Sequence, residues 1–349
     1  MRSKMKNIDP IKIKIDKEMY HFFKQEATIF EAYKNDQEKF VINHILSRLL
    51  VGFYEQYSEK ISGQYKSMKK ILTTFIDDPV GLDSAIKQLI EDRAQEETPK
   101  LDDGNTKEIS IRPTADTDEI ISEINKSMQE TNETQAGYYR RMFYSYSRLP
   151  MFERERILHC ETVKKLEEAC KKHREVALSF WSNNKREDHR VLPYSLIHGL
   201  DERYNYLLCQ EYNEKEKRPM TRSFRLCRIK VKATYRTDEQ FDNTVLKHFE
   251  KMIKLSPQHS INEDTETVIE MTESGRASFR SIYNNRPIQD RIEGPDSNGI
   301  YTYYFSCSQK QLFLYFRRFN PGEARIIKPE SLKQELREFH TRQLEDLKG

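Results

Sequence analysis

A short basic segment near the middle of the chain carries side chains suited to binding anions. Residues 215–236 hold nine lysine or arginine side chains and one acid, although the whole chain has a net charge of only +3. Arginine forks bind phosphate groups bidentately and stack on bases, which lysine does less well. The segment therefore predicts contact with a polyanion or an anionic ligand. Its most closely spaced basic residues are Arg222, Arg225, Arg228, Lys230, Lys232 and Arg236.

Arg222 and Arg225 are predicted to form the centre of this site. Because successive side chains of a strand point to opposite faces, Arg222 shares a face with Phe224, and Arg225 takes the other face. An unpaired arginine cannot lie in a small core, so Arg222 must lie at a rim or beside a kink. The alternative is that some of these arginines pair with acids of the same domain. The predicted nucleic-acid-binding residues here are Arg190, Tyr206, Arg222, Arg225 and Arg228, with Tyr204 and Tyr212 as further stacking tyrosines.

Arg154 and His159 are a second pair with chemical potential, since together they could act as acid, base and phosphate ligand. Their spacing resembles the Arg-x4-His motif of HEPN ribonucleases, in which a second copy usually completes the site. On a helix, however, the two side chains lie about 140° apart and do not share a face. The sequence also has no glycine-rich phosphate loop, no serine-hydrolase motif and no zinc-protease motif. We therefore predict that the protein is not an enzyme and needs no cofactor or metal.

The N-terminal 57 residues contain a strand pattern followed by two amphipathic helical stretches. The strand is predicted from the alternation of Ile11, Lys12, Ile13, Lys14 and Ile15. This order resembles the ribbon-helix-helix fold, in which two chains pair their strands and the outward strand residues enter the DNA major groove. The resemblance assigns Lys12 and Lys14 to nucleic-acid binding. Since a lone strand has two open edges, we predict an obligate homodimer formed through residues 10–57.

Residues 58–137 are predicted to form a helical segment and an acidic linker. Within them, residues 91–136 carry 13 acidic and five basic side chains, a composition typical of linkers. No apolar run of the whole chain approaches the roughly 20 residues that span a bilayer. The five cysteines are widely spaced and form no CxxC motif. These features predict a cytoplasmic protein that makes no membrane contact.

Residues 138–240 are predicted to contain lead-in helices and a small barrel of short strands. The predicted strands cover residues 175–181, 190–197, 204–210 and 221–231. Their order and the run from Arg222 to Ile229 (RSFRLCRI) resemble the WYL domain, whose fold is an Sm- or SH3-like β-barrel. The chain departs from that pattern at two positions. Asn205 stands where the name-giving tryptophan would be, and Cys227 stands where an acidic residue is usual.

The predicted fold class is thus α+β and multidomain. It comprises a ribbon-helix-helix module (1–57), the helical segment and linker (58–137), the WYL β-barrel with its lead-in helices (138–240) and an α/β C-terminal extension for dimerisation or regulation (241–349).

This combination resembles the WYL accessory proteins found beside type VI-D CRISPR RNA-guided RNases in antiviral defence. The resemblance implies a non-enzymatic homodimer that binds single-stranded RNA and stimulates the effector RNase. The alternative is a DNA-binding transcriptional regulator, in which the ribbon contacts DNA and the WYL domain senses a ligand. Lys12 and Lys14 discriminate poorly between these functions, because lysine contacts phosphate as well as guanine.

Overall fold

The protein was analysed as a computed structural model that describes residues 10–33, 39–131, 134–182 and 185–347. The chain divides into two compact units. The N-terminal unit comprises Met1–Lys165 together with Leu226–Arg228, and the C-terminal unit comprises Leu166–Arg225 and Ile229–Gly349. In the described part of the chain, no helix is long and apolar enough to cross a membrane.

The N-terminal unit combines a two-stranded sheet with helices. Its elements in chain order are β1 (Ile11–Asp16), α1 (Lys17–Ile29), α2 (Ile42–Leu72), α3 (Pro79–Glu97), β2 (Thr106–Ile111), α4 (Asp118–Thr131), α5 (Gln135–Ser147) and α6 (Met151–Leu158). A further helix, α7 (Cys160–Lys171), contains the residues at which the chain passes to the C-terminal unit.

The predicted strand and first helix are confirmed. Ile11, Ile13 and Ile15 are buried, whereas Lys12 and Lys14 are exposed, as the alternating pattern requires. The Asp16 side chain then accepts a hydrogen bond from the Met19 amide at 2.6 Å and so caps α1.

The pairing of β1 corrects the argument that this strand must pair with the same strand of a second chain. β1 pairs antiparallel with β2 of the same chain, from Ile11 opposite Ile111 to Asp16 opposite Thr106. The prediction of an obligate dimer through residues 10–57 rested on two open strand edges, and β2 occupies one of them. A homodimer stays a prediction, but β1 does not require a second chain to find a pairing partner.

The segment predicted as an acidic linker is also corrected, because residues 91–136 contain the end of α3, all of β2 and α4. Ile109 and Ile111 of β2, and Ile121 and Ile124 of α4, are almost completely buried. Two isoleucines at strand spacing and two at helical spacing are enough to order the segment. The acids lie between these apolar positions, so net charge alone was a misleading guide.

The core of the N-terminal unit is rich in aromatic side chains. Phe23 of α1 packs edge-to-face on Phe143 of α5, with ring centroids 5.3 Å apart. Phe53 of α2 lies 5.9 Å from Tyr146 of α5 in the same manner. Burial of these large rings holds α1, α2 and α5 together, and so supports the ribbon formed by β1 and β2.

The C-terminal unit begins with a five-stranded antiparallel sheet. Its strands are β3 (Arg174–Ser182), β4 (Lys185–His198), β5 (Asn205–Asn213), β6 (Arg218–Arg225) and β7 (Ile229–Arg236), in the spatial order β6-β5-β4-β3-β7. The four predicted strand regions are confirmed, but the region 221–231 is two strands. A 3-10 turn at Leu226–Arg228 separates β6 from β7.

The predicted closed barrel is corrected to an open sheet. Within the described residues, the strand pairs end at β6 on one side and at β7 on the other, without a β6–β7 pair. The fold is therefore α+β with several antiparallel sheets.

A second antiparallel sheet follows in the C-terminal unit. Its elements in chain order are α8 (Asn243–Leu255), β8 (Thr267–Met271), α9 (Glu273–Ser281), β9 (Arg291–Glu293), β10 (Tyr301–Phe305), α10 (Gln309–Phe316), β11 (Ala324–Lys328) and α11 (Glu330–Asp346). The strand order is β11-β8-β10-β9. α8 covers one face of the first sheet, where Phe249 stacks on Tyr194 with centroids 4.5 Å apart.

A half-buried histidine between α8 and β8 makes the C-terminal unit sensitive to acid. Burial, with the nearby charge of Lys310, lowers the pKa of His259 to about 4. The unfolded chain therefore takes up this proton first, and stability is lost as the pH falls from about 6.5 to about 4. The free energy of unfolding should therefore fall with acidification by about 2 kcal/mol less in His259→Gln than in the wild type. Urea unfolding at about pH 8 and about pH 4.5 measures it, and equal acid losses in both proteins would contradict the assignment.

Candidate nucleic-acid interface

The two ribbon lysines lie on an exposed face that also carries an acid. The register places Lys12 opposite Ser110 and Lys14 opposite Glu108. The Lys12 ammonium lies 3.8 Å from a carboxylate oxygen of Glu108. This face of the ribbon therefore presents charges of both signs, which weakens its attraction for phosphate.

Arg222 is held by a half-buried acid on one face of the first sheet. Its Nε donates to Glu211 at 2.6 Å, and Nδ1 of His189 lies 2.7 Å from the other oxygen of the same carboxylate. Burial by itself would raise the pKa of Glu211, but the hydrogen bonds from His189 and Arg222 outweigh it and hold this pKa below its usual value. Glu211 is thus an anion that neutralises Arg222.

Arg225 lies on the opposite face of the same sheet. Its guanidinium carbon is 3.4 Å from the ring centroid of Tyr204, which is a close cation–π contact. Tyr206 lies directly across the strands from Arg225, but its ring is buried and its hydroxyl donates to Gln258 at 3.1 Å. Tyr206 therefore does not offer a free face for stacking, whereas Tyr212 on the same strand is half exposed.

The remaining two predicted arginines are also paired with acids. Arg190 donates to Glu175 at 2.7 Å and lies over the ring of Tyr235. Arg228, in the 3-10 turn, belongs to the N-terminal unit and pairs with Glu31 at 2.8 Å.

The seven predicted residues therefore do not form one cluster. Strand alternation separates Arg222 from Arg225, and the 3-10 turn places Arg228 in the other unit. Arg190, Arg222 and Arg228 each pair with a carboxylate, as the alternative interpretation of the basic segment predicted. Of the four predicted arginines, Arg225 and Arg190 lie on aromatic rings.

A cavity of about 710 Å³ in the C-terminal unit was not predicted from the sequence. Its rim is basic and aromatic: Arg280 is well exposed, Arg286 is exposed, and the side chain of Tyr283 is 74% exposed. A recognisable pattern was present, because Arg276, Arg280, Tyr283 and Arg286 recur at steps of four, three and three. This pattern was overlooked because the basic segment at residues 215–236 has a higher density of charge.

The Arg154 and His159 pair is engaged inside the N-terminal unit. Arg154 forms an ion pair with Glu26 at 3.2 Å, and the carboxylate of Glu26 is almost completely buried. The Nε2–H group of His159 donates to the carbonyl of Phe30 at 2.9 Å. Both side chains thus hold α1 against α6. Within the described residues, no group of three or more potential ligands is arranged to hold a metal ion.

Comparison with known proteins relates this fold to one solved structure along its whole length. No family model matches the chain, and no curated protein matches it. A CRISPR Cas-related protein of known crystal structure matches 100% of this chain and 97% of its own, with a TM-score of 0.66 and 16% identity. The chain therefore shares its fold with a CRISPR Cas-related protein.

A second solved structure matches only in part. Proteasome accessory factor B/C (PafBC) of Arthrobacter aurescens matches 66% of this chain and 36% of its own, with 14% identity. Its TM-score of 0.24 is too low to carry an argument.

Proposed function

We propose that this protein is a non-enzymatic accessory factor of a CRISPR system, which binds single-stranded RNA and stimulates an RNA-guided RNase of type VI-D. The observation that carries the proposal is the match of the whole chain, in both units, to a CRISPR Cas-related protein. The resemblance of residues 222–229 to the WYL domain supports the same assignment. A homodimer in antiviral defence is part of this proposal, and light scattering at micromolar concentration tests its oligomeric state.

The side chains of the C-terminal unit favour an unpaired RNA strand over a duplex. Arginines with aromatic neighbours suit a strand whose bases are free to stack, and the exposed Tyr212 and Tyr283 add further ring surface. In an A-form duplex the bases are already stacked and the major groove is too narrow for side chains to read.

The assignment as a non-enzymatic protein is supported by the contacts of Arg154 and His159. Each side chain makes a structural contact with α1 or its C-terminal residue, so neither is presented to a substrate. Purified protein is therefore expected to leave RNA intact in the absence of the effector RNase.

The alternative, a DNA-binding transcriptional regulator, receives less support. Its DNA contact would be the exposed ribbon face, where Glu108 lies close to Lys12 and opposite Lys14. A carboxylate at this position repels the DNA backbone, and the ribbon strands carry none of the Arg, Asn or Gln side chains commonly used for bidentate reading of bases.

RNA binding is tested by fluorescence anisotropy with labelled single-stranded RNA and duplex DNA of equal length at matched salt. We expect preference for RNA and a loss of about tenfold in affinity for Arg225→Ala, since an arginine contact to phosphate is charge-assisted. Arg222→Ala should lose less, because Glu211 already engages Arg222. The matched control is Arg342→Ala on α11, which removes an equal charge from an exposed site.

Stimulation is then tested by adding wild-type protein or these variants to a type VI-D effector with its guide and target RNA. The cleavage rate should rise with wild type and Arg342→Ala, and rise less with Arg225→Ala. Preference for duplex DNA, or an effector rate that wild type leaves unchanged, would refute the proposed function.

A further inference from the structure

The rim of the cavity in the C-terminal unit combines arginine with an exposed tyrosine. Arg280 lies in the last turn of α9, and Tyr283 and Arg286 follow in the loop after it. Arg280 is only partly neutralised, through a contact of 3.2 Å with Glu273 that leaves its side chain 63% exposed. Arg286 donates to the backbone carbonyl of Arg280 at 3.2 Å, and both arginines line the cavity. Two arginines and a free aromatic ring are therefore grouped at one opening.

Hydrogen bonds from the rest of the C-terminal unit hold the loop that carries Tyr283 and Arg286. The Tyr315 hydroxyl lies 2.9 Å from the carbonyl of Phe279 and 2.8 Å from that of Ile282. Asn285, in the left-handed region with φ of 58°, accepts a hydrogen bond from Gln258 at 2.8 Å. A loop tied at these points is preorganised, which lowers the entropic cost of binding a ligand.

A buried acceptor lines the same cavity. Gln311 is only 2% exposed, and its Nε2 lies 3.5 Å from the carbonyl of Asn285. Its Oε1 is buried and has no hydrogen-bond partner among the described residues. An unsatisfied buried acceptor costs free energy unless a ligand or a water donates to it. Gln311 therefore brings an unsatisfied acceptor to the wall of the cavity.

The rest of the lining mixes apolar side chains with polar ones such as Asp201, Gln258 and Gln289. Leu200, Ile288 and Ile292 line the cavity, and each is between 43% and 55% exposed. Arg276 lines the cavity but its guanidinium is engaged within the protein. It stacks on Tyr301, donates a hydrogen bond to Tyr303 and forms an ion pair with Glu273. The volume is within the range of roughly 300–1,000 Å³ that small-molecule sites occupy.

We propose that this cavity binds one unpaired nucleotide of an RNA strand, with its base on Tyr283 and the apolar lining and its phosphate on Arg280 and Arg286. A donor group on the base edge then satisfies Oε1 of Gln311. A simple anion would explain the arginines but neither the apolar lining nor the exposed ring. This inference rests on the proposed function, since it identifies the place in the C-terminal unit where the RNA strand is captured.

The test uses the full chain and a short fluorescein-labelled oligoadenylate in anisotropy titrations. We expect Tyr283→Ala to lose about tenfold to a hundredfold in affinity, whereas Tyr283→Phe keeps the stacking ring and binds like wild type. Arg280→Ala with Arg286→Ala should lose at least tenfold and reduce the salt slope by about one unit. The matched control is Arg325→Ala with Arg342→Ala, which removes two arginines of the same unit that do not line the cavity.

A second readout locates the strand directly. Oligonucleotides carrying 4-thiouridine are cross-linked by ultraviolet light, and mass spectrometry should find the modified peptide around Tyr283. Cross-links that lie only on β5 and β6, with full binding by the cavity variants, would overturn this inference and leave the proposed function standing. Failure of wild type to bind single-stranded RNA would overturn both.

Adenosine monophosphate and polyglutamate are tested in the same anisotropy assay. Adenosine monophosphate that binds while the oligonucleotide does not would overturn the assignment to an RNA strand. Polyglutamate that displaces the oligonucleotide as well as unlabelled RNA does would instead indicate an acidic peptide site, and would also overturn it.

Discussion

Gly52→Ala is expected to destabilise the N-terminal unit by about 3 kcal/mol, although alanine is the better helix former. Gly52 lies in the middle of α2, where that helix crosses α6. A Cβ atom built on it would lie 2.9 Å from the carbonyl carbon of Ile157 and closer still to its oxygen. These are backbone atoms near the C-terminal end of α6, so no side-chain rotation relieves the clash. Arg48, one turn earlier on α2, donates to the Leu158 carbonyl at 3.3 Å and would lose that contact as well.

Gly63→Ala is the matched control for this substitution. Gly63 lies in the same helix, and a Cβ atom there would meet nothing within 4 Å. We expect it to stabilise the protein by about 0.5–1 kcal/mol, because glycine in a helix costs more conformational entropy than alanine. Urea and thermal unfolding followed by circular dichroism measure both variants, and the two effects should have opposite signs. Stabilisation by both substitutions would show that propensity, not the crossing of α2 and α6, decides the outcome, and destabilisation by both would contradict the expectation for Gly63.

Local patterns in the sequence predicted the elements better than they predicted the partners of those elements. The alternating isoleucines of β1 and the strands β3 to β6 were found because their periodicity is local. The pairing of β1 with β2 was missed, since it joins residues almost 100 positions apart and no local pattern encodes such a contact. Acidic composition further concealed β2, whose buried side chains are only Ile109 and Ile111.

The candidate interface was harder to predict than the fold, for a reason visible in the ion pairs. The basic segment identified Arg222 and Arg228, and the WYL resemblance included Arg190, but neither reveals which carboxylate each arginine meets. Glu175 and Glu211 lie on the strands that pair with those of Arg190 and Arg222, and Glu31 is 197 residues from Arg228. The cavity at Tyr283 depends on a loop held by Tyr315 and Gln258, and such tertiary contacts are not written in any short motif.

A buried carboxylate makes Arg154 important for the stability of the N-terminal unit. Glu26 of α1 is 1% exposed and meets two partners: Arg154 of α6 at 3.2 Å, and the hydroxyl of Tyr146 of α5 at 2.8 Å. Burial raises the pKa of Glu26, and the charge of Arg154 and the hydrogen bond from Tyr146 oppose that rise. Removing Arg154 would leave an uncompensated buried charge, which costs far more than the pair contributes.

We therefore expect Arg154→Met to destabilise the protein by about 3–5 kcal/mol near pH 8. Because Glu26 has a raised pKa in the folded state, folding favours its protonation, and its unfavourable contribution shrinks as the pH falls through that pKa. The variant's deficit should accordingly be smaller at about pH 5, as measured by urea unfolding. Glu26→Gln combined with Arg154→Met should recover most of the loss, since no charge is then buried.

Lys24→Met on the exposed side of α1 is the control, and it should change the free energy of unfolding by less than about 0.5 kcal/mol. The double variant also separates a structural Arg154 from a catalytic one. If Arg154 only balances Glu26, the refolded double variant binds RNA and stimulates the effector RNase like wild type. Wild-type stability of Arg154→Met would contradict the role of Arg154 in packing α1 on α6. RNA cleavage by the wild type that the double variant lacks would show that Arg154 serves chemistry.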